Sequence, residues 1–308
     1  MSSVKWRFTA VFLLLLLCTG CRRDKNTEPV QPPLRFAPPL ASLQLKPVSR
    51  SPEKLLLRQR DTTILLHSGS STVQFAEIPV LLPESVTGNE ENFWSLGEYS
   101  CRNILRPLLN EELPQVKRIL LDPGHGGHDT GAIAADGTME KNLNLQLTLL
   151  LAEKLKQRGY TVFLTREDDR FLSLDARPEA IAGCQADLFI SIHHNAAANH
   201  AASGYEIYAF NSFPETTDAS RTVNSVPFAL SAAKALKKLP VLPGRGVKFA
   251  QFKVLRLATC PAILVEAGFV SNPEEVKLLK QPEFHQNFAA QLAGFLPDLT
   301  NGKSIQRH

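Results

Sequence analysis

Polar side chains suited to hydrolysis stand at the ends of apolar runs in this 308-residue sequence: His125 after Arg118–Leu121, His193 and His194 after Asp187–Ile192, and Glu266 after Ala262–Val265. Glu140 opens a segment of helical periodicity. Two histidines and one carboxylate are a common ligand set for catalytic zinc, which keeps a further position open for water. A glutamate that does not bind the metal can then accept the proton of that water. The pattern predicts a metal-dependent hydrolytic site.

Two neighbouring histidines leave the choice of ligands open. His128 lies three residues after His125, and His194 directly follows His193. Successive residues of a strand point to opposite faces, so His193 and His194 cannot both face one site from a regular strand. A single histidine after a strand is also more often a hydrogen-bonded structural residue than a ligand. Spacing alone does not decide between the members of either pair.

The elements that must position these residues alternate along the segment 116–300. Its apolar runs and amphipathic segments predict an α/β fold, a three-layer sandwich with a mostly parallel sheet flanked by helices. The clearest helix is Glu140–Arg158, with Gly159 at its carboxyl cap. Other expected elements are helices near Pro227–Leu239, Pro273–Lys280 and Pro282–Leu296 and strands at Thr161–Leu164 and Tyr205–Tyr208. Ligands of such sheets gather outside the carboxyl ends of the strands, where the candidate residues stand.

The amino-terminal residues 1–20 predict export. Lys5 and Arg7 precede the uncharged run Phe8–Leu17, which is too short to cross a bilayer as a helix. Cys21 follows Gly20, and this arrangement resembles a bacterial lipoprotein signal in which the cysteine is acylated. We therefore expect an exported, periplasmic lipoprotein held at the membrane by a lipid on Cys21.

Between the signal and residue 116 the sequence predicts two regions without recognisable site chemistry. Residues 21–50 are rich in proline and are expected to form an extended tether. Residues 51–115 are expected to form a small β-rich accessory unit, with strands at Thr62–Leu66 and Ile78–Leu82 and a helix over Asn92–Leu109.

Composition excludes several classes of protein. Charged residues make up 21% of the chain and hydrophobic residues 44%, which is typical of globular proteins and excludes a largely disordered or polytopic membrane protein. The net charge of +4 is small, and no long basic run occurs. We therefore expect no nucleic-acid partner.

Separated motifs resemble those of zinc-dependent N-acetylmuramoyl-L-alanine amidases, which are bacterial cell-wall hydrolases. The matching segments are Leu121–Gly127, Gly137–Lys141, Ser191–Asn195, Arg245–Lys248 with Val254–Arg256, and Glu266–Phe269. They occur in the family's order between about Val116 and Leu296, whereas residues 22–110 match no family that we recognise.

The resemblance implies a role for each matching residue. His125, Glu140 and His193 would bind zinc, which selects His193 over His194, and Glu266 would be the catalytic acid–base. Asn195 and Arg256 are further candidates for orienting ligands or substrate. The implied reaction is hydrolysis of the amide between N-acetylmuramic acid and L-alanine in peptidoglycan, in wall remodelling or cell division.

Two other functions compete with this one. Ser231–Lys234 and Ser51–Lys54 both fit the S-x-x-K pattern of serine D,D-carboxypeptidases, but no K-T-G triplet occurs. A non-catalytic wall-binding lipoprotein would be expected to have lost a ligand or the catalytic glutamate.

Some members of the resembled family carry a helical insertion that plugs the site until an activator removes it. The segment 209–226 has no apolar stripe and little room for such a plug. We expect an open site that requires no protein activator.

Overall fold

The computed structural model describes residues 33–89, 92–110, 113–213 and 220–300. The predicted signal, Cys21 and the first part of the predicted tether lie outside these ranges. No helix within them is long and apolar enough to cross a membrane.

The described elements before residue 116 are mostly short strands. They are β1 (Arg35–Phe36), β2 (Lys46–Arg50), β3 (Lys54–Gln59), β4 (Thr62–His67), β5 (Thr72–Phe75), β6 (Ile78–Leu81), β7 (Thr87–Gly88) and β8 (Phe93–Ser95). Two short helices accompany them, α1 (Pro38–Ala41) and α2 (Arg106–Leu109), and a π-helical segment, Ser100–Leu105, runs directly into α2.

Strands and helices mostly alternate after residue 116, as the sequence predicts. The strands are β9 (Arg118–Pro123), β10 (Thr161–Leu164), β11 (Leu188–Asn195), β12 (Tyr205–Ala209), β13 (Gly244–Phe249) and β14 (Ala262–Phe269). The helices are α3 (Glu140–Gln157), α4 (Ala176–Cys184), α5 (Ser220–Leu236), α6 (Lys253–Arg256), α7 (Pro273–Leu279) and α8 (Pro282–Ala293).

Eleven of these strands form one mixed sheet in the order β10-β9-β11-β14-β12-β13-β6-β5-β4-β3-β2. Strands β10, β9, β11 and β14 are parallel neighbours, whereas β12 is antiparallel to β14. Strand β13 pairs with β12 on one side and with β6 on the other. The predicted α/β fold with a small amino-terminal β unit is therefore confirmed, and the strands of that unit extend the same sheet.

Helices cover both faces of the sheet and produce the expected three layers. Ile119 and Leu121 of β9 pack into the larger core beside α3, α5 and α8, and Leu120 between them packs into the smaller core beside α4 and α6. This division follows from the alternation of side chains along a strand. The predicted apolar stripe of α3 is buried at Leu143, Leu147, Leu151 and Leu155.

The central strands run further than their apolar runs. Strand β11 continues through His193 to Asn195, and β14 continues through Glu266 to Phe269. The extension is possible because the two strands keep pairing there, with His193 opposite Glu266. His193 and Glu266 thus lie on the last residues of their strands rather than after them.

Two predicted helices have different limits. Helix α5 begins at Ser220 and contains Pro227 in its interior, although a proline is better tolerated in the first turn, where we expected it. The predicted helix Asn92–Leu109 is replaced over Phe93–Ser95 by β8, which pairs with β1. That pairing joins segments far apart in sequence, which local periodicity does not reveal.

The expected extended tether must be corrected for residues 34–50. This stretch forms β1, α1 and β2, and from Leu34 onward the chain belongs to one compact unit. Pro38 and Pro39 open the short helix α1, where a missing N–H costs nothing, and Leu40 and Leu43 are buried in the core. The proline content alone predicts a spacer here. The buried leucines that follow the prolines instead make this stretch part of the core.

Candidate active site

Three side chains from distant parts of the chain form a compact donor cluster. His125 follows β9, Glu140 is the first residue of α3, and His193 lies on β11. One donor atom from each lies within 4.8 Å of the others. Glu140 Oε1 is 3.2 Å from His125 Nε2 and 2.9 Å from His193 Nδ1. The structure therefore brings together the three residues that the sequence nominates as metal ligands.

His125 is oriented by a carboxylate and by an unusual backbone conformation. Its φ of 61° lies in the left-handed region, which turns the loop after β9 back towards the sheet. Its Nδ1 donates to Asp129, 2.9 Å from both carboxylate oxygens, and so leaves Nε2 facing Glu140. Such carboxylate partners fix the tautomer of metal-binding histidines.

One buried ion pair and the hydrogen bonds around it hold the loop that carries His125. Asp122, at the end of β9, accepts hydrogen bonds from Arg177, Thr165 and Ser191. Arg177 also donates to the backbone carbonyl of His125 at 2.8 Å. The loop is thus bound to the sheet through Asp122 and Arg177.

Glu140 is held in place at the amino-terminal end of α3. Its Oε2 accepts from the backbone N–H of Ala132 at 2.9 Å, and its Oε1 accepts from Asn144 Nδ2 at 3.2 Å. A side chain on Gly131 would come within 2.5 Å of Glu140 Oε2, and a side chain on Gly124 would overlap the His193 ring. These two glycines keep the space in which the donors meet.

The two other candidate histidines, His194 and His128, lie outside the donor cluster. His194 points to the opposite face of β11, where it is 1% exposed and its Nδ1 donates to Asn144 Oδ1 at 2.8 Å. It therefore supports Glu140 through Asn144 instead of joining the cluster. His128 is exposed and its ring stacks on Phe171 at 4.1 Å.

Close contact among the donors shifts their protonation. Burial lowers the pKa of His125, but the hydrogen bonds and charges of Glu140 and Asp129 outweigh it and raise this pKa to about 8. Burial likewise opposes the rise in the pKa of His193 that Glu140 causes. The pKa of Glu140 is lowered, since both imidazoles counter the effect of its burial. Glu140 is therefore the anionic member of the cluster, and the two imidazoles share its charge.

The carboxylate of Glu266 lies beside this cluster and lacks a hydrogen-bond partner at one oxygen among the described residues. It stands opposite His193 in the pairing of β11 with β14 and is 9% exposed. Its Oε2 is buried and has no hydrogen-bond partner among the described residues. Burial, together with the charges of Glu140 and Glu206 and against that of His193, raises the pKa of Glu266 to about 7. A carboxylate in this state can both accept and release a proton near neutral pH.

A cleft of about 300 Å³ exposes these groups to solvent. The lining residues are His125, Asp129, Leu174, Arg177, His193, Phe252, Lys253, Val254, Leu264 and Glu266. The wall is apolar on the side of Leu174 and Phe252, both of which are exposed. The cleft therefore offers polar reacting groups at its floor and apolar contacts at its rim.

The remaining two predicted residues lie away from the donor cluster. Asn195 Nδ2 donates to Glu206 Oε2 at 3.0 Å. Arg256 is exposed at the end of α6 and is not among the described residues that line the cleft. Any contribution of Arg256 to substrate orientation remains a prediction.

Sequence reasoning missed Asp129, Asn144 and Glu206. Asp129 could have been found by asking which acidic residue lies near a metal-binding histidine, because such histidines usually donate to a carboxylate. Asn144 lies one helical turn after Glu140, a spacing at which side chains meet. Glu206 has no such signal, since only the antiparallel pairing of β12 with β14 places it near Glu266.

The serine patterns do not form a nucleophilic site. Ser231 lies on α5, where its Oγ donates to the carbonyl of Phe295 at 3.0 Å. Ser51 Oγ accepts from the backbone N–H of Lys54 at 3.1 Å, an exposed turn contact. In neither arrangement is a hydrogen bond recorded between the serine hydroxyl and the side-chain amine of its lysine.

Comparisons with known proteins agree on one family. The profile of the N-acetylmuramoyl-L-alanine amidases matches residues 119–297. The N-acetylmuramoyl-L-alanine amidase AmiC of Neisseria meningitidis is 33% identical over 225 residues, which cover 61% of this chain and 54% of that protein. The probable cell wall amidase LytH of Staphylococcus epidermidis is 34% identical over 204 residues, covering 65% of this chain and 64% of that protein. The chain thus spans between half and two thirds of the length of these relatives.

Solved structures with similar sequences have the same fold over this region. The catalytic domain of CwlV, an N-acetylmuramoyl-L-alanine amidase from Bacillus (Paenibacillus) polymyxa, is 33% identical with a TM-score of 0.53 and covers 58% of this chain and 95% of its own. The amidase AmiC2 of Nostoc punctiforme is 31% identical with a TM-score of 0.53 and covers 58% and 94%, respectively.

Proposed function

The chain belongs to the N-acetylmuramoyl-L-alanine amidase family, and on this premise we propose that it hydrolyses the amide between N-acetylmuramic acid and L-alanine in peptidoglycan. One observation carries the proposal: the His125–Glu140–His193 cluster shares a cleft with Glu266, a buried carboxylate whose Oε2 has no partner among the described residues. We assign the activity to residues 116–300 and place it in wall remodelling or cell separation.

Zinc is the metal that the donor cluster fits best. Two imidazoles and one carboxylate are a common ligand set for catalytic zinc. His125 Nε2 and His193 Nδ1 both point at Glu140 Oε1, so the donors converge on one small volume. Asp129 and Asn144 supply the outer contacts that hold two of the three donors. When bound, zinc supplies a Lewis acid that polarises the substrate carbonyl and makes water a stronger nucleophile.

Glu266 performs the proton transfers in this proposal. Its carboxylate, with a buried Oε2 that has no partner among the described residues, accepts a proton from the attacking water and then donates it to the amine of the leaving L-alanine. Leu174 and Phe252 supply apolar contacts at the rim of the cleft. His125, Glu140 and His193 stay fixed throughout, because Arg177, Asp129 and Asn144 hold their surroundings.

Turnover by the purified chain tests the function. We expect release of L-alanyl peptides from a muramoyl peptide and from sacculi, loss of turnover with a chelator, and recovery with added zinc. The reaction should need no added protein, because we propose an open cleft without an activator. Absence of turnover in zinc-loaded protein would contradict the proposed reaction. Turnover that begins only after a partner is added would contradict the open cleft alone.

Zinc affinity should decrease at low pH. Zinc and a proton compete for His125 Nε2, and the pKa of His125 is raised to about 8. Below that pH the nitrogen is protonated, so each further unit should weaken binding by about tenfold for one displaced proton. Competition titrations between pH 6 and 9 measure the slope. Asp129→Asn should move the break to lower pH, because it removes a charge that raises this pKa; equal affinity at pH 6 and pH 8 would contradict the prediction.

We also propose that the chain is an exported lipoprotein anchored through Cys21. Support comes from the sequence alone, through the basic start, the short apolar run and the cysteine that follows Gly20. Cys21→Ala should abolish lipid labelling and move the protein from the membrane fraction, since no acyl acceptor remains at the processed end. Cys18→Ala, the matched control, should keep both labelling and membrane association. Unchanged labelling of Cys21→Ala would contradict the assignment.

A further inference from the structure

A second charged cluster lies on the same face of the sheet as Glu266. Its centre is Glu206 on β12, which is 2% exposed and accepts hydrogen bonds from Asn195, Tyr208, Arg245 and Lys248. We call these five residues the Glu206 cluster. The reaction described above does not use it.

Strand pairing places the Glu206 cluster next to the cleft. Glu206 lies directly opposite Glu266 in the antiparallel pairing of β12 with β14, and directly opposed side chains share a face with Cβ atoms about 4.5–5.5 Å apart. Arg245 and Lys248 come from β13, the next strand, at roughly 10 Å from β14. The ring of Tyr208 contacts the cleft residue Phe252 at 5.1 Å. The cleft and the cluster therefore form one continuous surface.

The Glu206 cluster has an excess of positive charge that faces solvent. The carboxylate of Glu206 forms ion pairs with both Arg245 and Lys248, so one positive charge is unbalanced within the cluster. The side chain of Arg245 is 41% exposed and that of Lys248 is 22% exposed. Both cations thus remain accessible although their partner is buried.

Arg245 is held in a fixed orientation. Its Nε donates to Glu206 at 2.5 Å, and its guanidinium lies over the Phe269 ring at 5.3 Å from the centroid. Its Nη1 donates to the carbonyl of Ser203 at 3.4 Å, whereas its Nη2 has no hydrogen-bond partner among the described residues. A guanidinium held in this way loses little entropy when it binds a carboxylate.

We propose that Arg245 and Lys248 form a subsite for a carboxylate of the stem peptide, on the leaving-amine side of the scissile bond. The inference rests on the proposed function. An extended peptide advances about 3.3–3.6 Å per residue, so the second or third stem residue reaches the roughly 10 Å between β14 and β13. The subsite makes the enzyme prefer an acidic residue after the alanine over its amidated form.

Two substrates and a substitution test the subsite. The substrates are a muramoyl-L-alanyl dipeptide with a free α-carboxylate on its second residue and the same dipeptide with that carboxylate amidated. With wild type we expect a higher kcat/KM for the acid. Arg245→Gln should raise KM for the acid by about tenfold, as expected for a lost charge-assisted contact, and change KM for the amide by less than about twofold; kcat should hold for both. Arg245→Lys should recover part of the preference.

Controls separate the subsite from folding and from the proposed function. Lys237→Gln removes an exposed cation that pairs with Glu77 away from the cleft, so it should leave both KM values unchanged. Equal losses on both substrates in Arg245→Gln would overturn the subsite and leave Arg245 a structural partner of Glu206. No loss on either substrate would overturn it as well. If zinc-loaded wild type cleaves neither of these substrates nor muramoyl peptides with longer stems, the proposed function is contradicted, whatever the Arg245 variants show.

Discussion

Replacing Glu266 with Gln should leave zinc bound and lower turnover by about 10²-fold or more. The amide of Gln keeps the shape of the side chain on β14 but cannot accept a proton from water. Zinc content should not change, because Glu266 does not belong to the His125–Glu140–His193 cluster. Metal analysis and kcat on a muramoyl peptide, measured on the same preparation, separate the two effects.

A matched variant shows whether the loss is specific to this carboxylate. Glu274→Gln removes an exposed carboxylate on α7 that pairs with Lys277, so turnover should stay at the wild-type level. If Glu266→Gln retains turnover within a few-fold of wild type, another group accepts the proton. Loss of zinc from Glu266→Gln would instead place Glu266 among the ligands.

Removing either imidazole of the donor cluster should abolish metal binding and activity together. We expect about one zinc per chain in wild type and almost none in His193→Ala or His125→Ala after dialysis, because two protein ligands hold zinc too weakly. Turnover should fall with the zinc content in both variants. Inductively coupled plasma mass spectrometry measures the metal, and circular dichroism confirms that the variants fold.

The choice of control follows from where the other histidines lie. His128→Ala should keep zinc, because its exposed ring stacks on Phe171 outside the cluster. His194→Ala is a poorer control, since its removal leaves buried Asn144 Oδ1 without its partner and disturbs the contact that Asn144 makes with Glu140. Wild-type zinc content in His193→Ala would disprove the assigned ligand set.

The sequence predicted which strands carry the site because His125, His193 and Glu266 each follow an apolar run. It could not choose between His193 and His194 from spacing, since that choice depends on which face of β11 lines the cleft. The family resemblance selected His193, and the structure places His193 beside Glu140 and His194 on the opposite face. Periodicity depends only on residues that are close in sequence. It therefore predicts where a strand lies better than it predicts which side of that strand lines the site.

The features that sequence analysis missed depend on contacts between distant segments. Glu206 became relevant only through the antiparallel pairing of β12 with β14. Residues 34–50 belong to the folded unit because Leu40 and Leu43 pack into a core that later residues form. A composition rule averages over such leucines, so it assigned the whole proline-rich stretch to a tether.

Strand β13 pairs with β6, which lies before the region that matches the family. A protein that begins where the match begins would therefore lose this pairing. The family match begins at residue 119, yet Val80 of β6 pairs with Val247 of β13, and the backbone of Pro79 lies so close to Gly246 that no side chain would fit there. A protein shortened to the matched residues would present β13 as a bare sheet edge, open to pairing with other molecules. The amino-terminal strands therefore cover a sheet edge that β13 would otherwise expose.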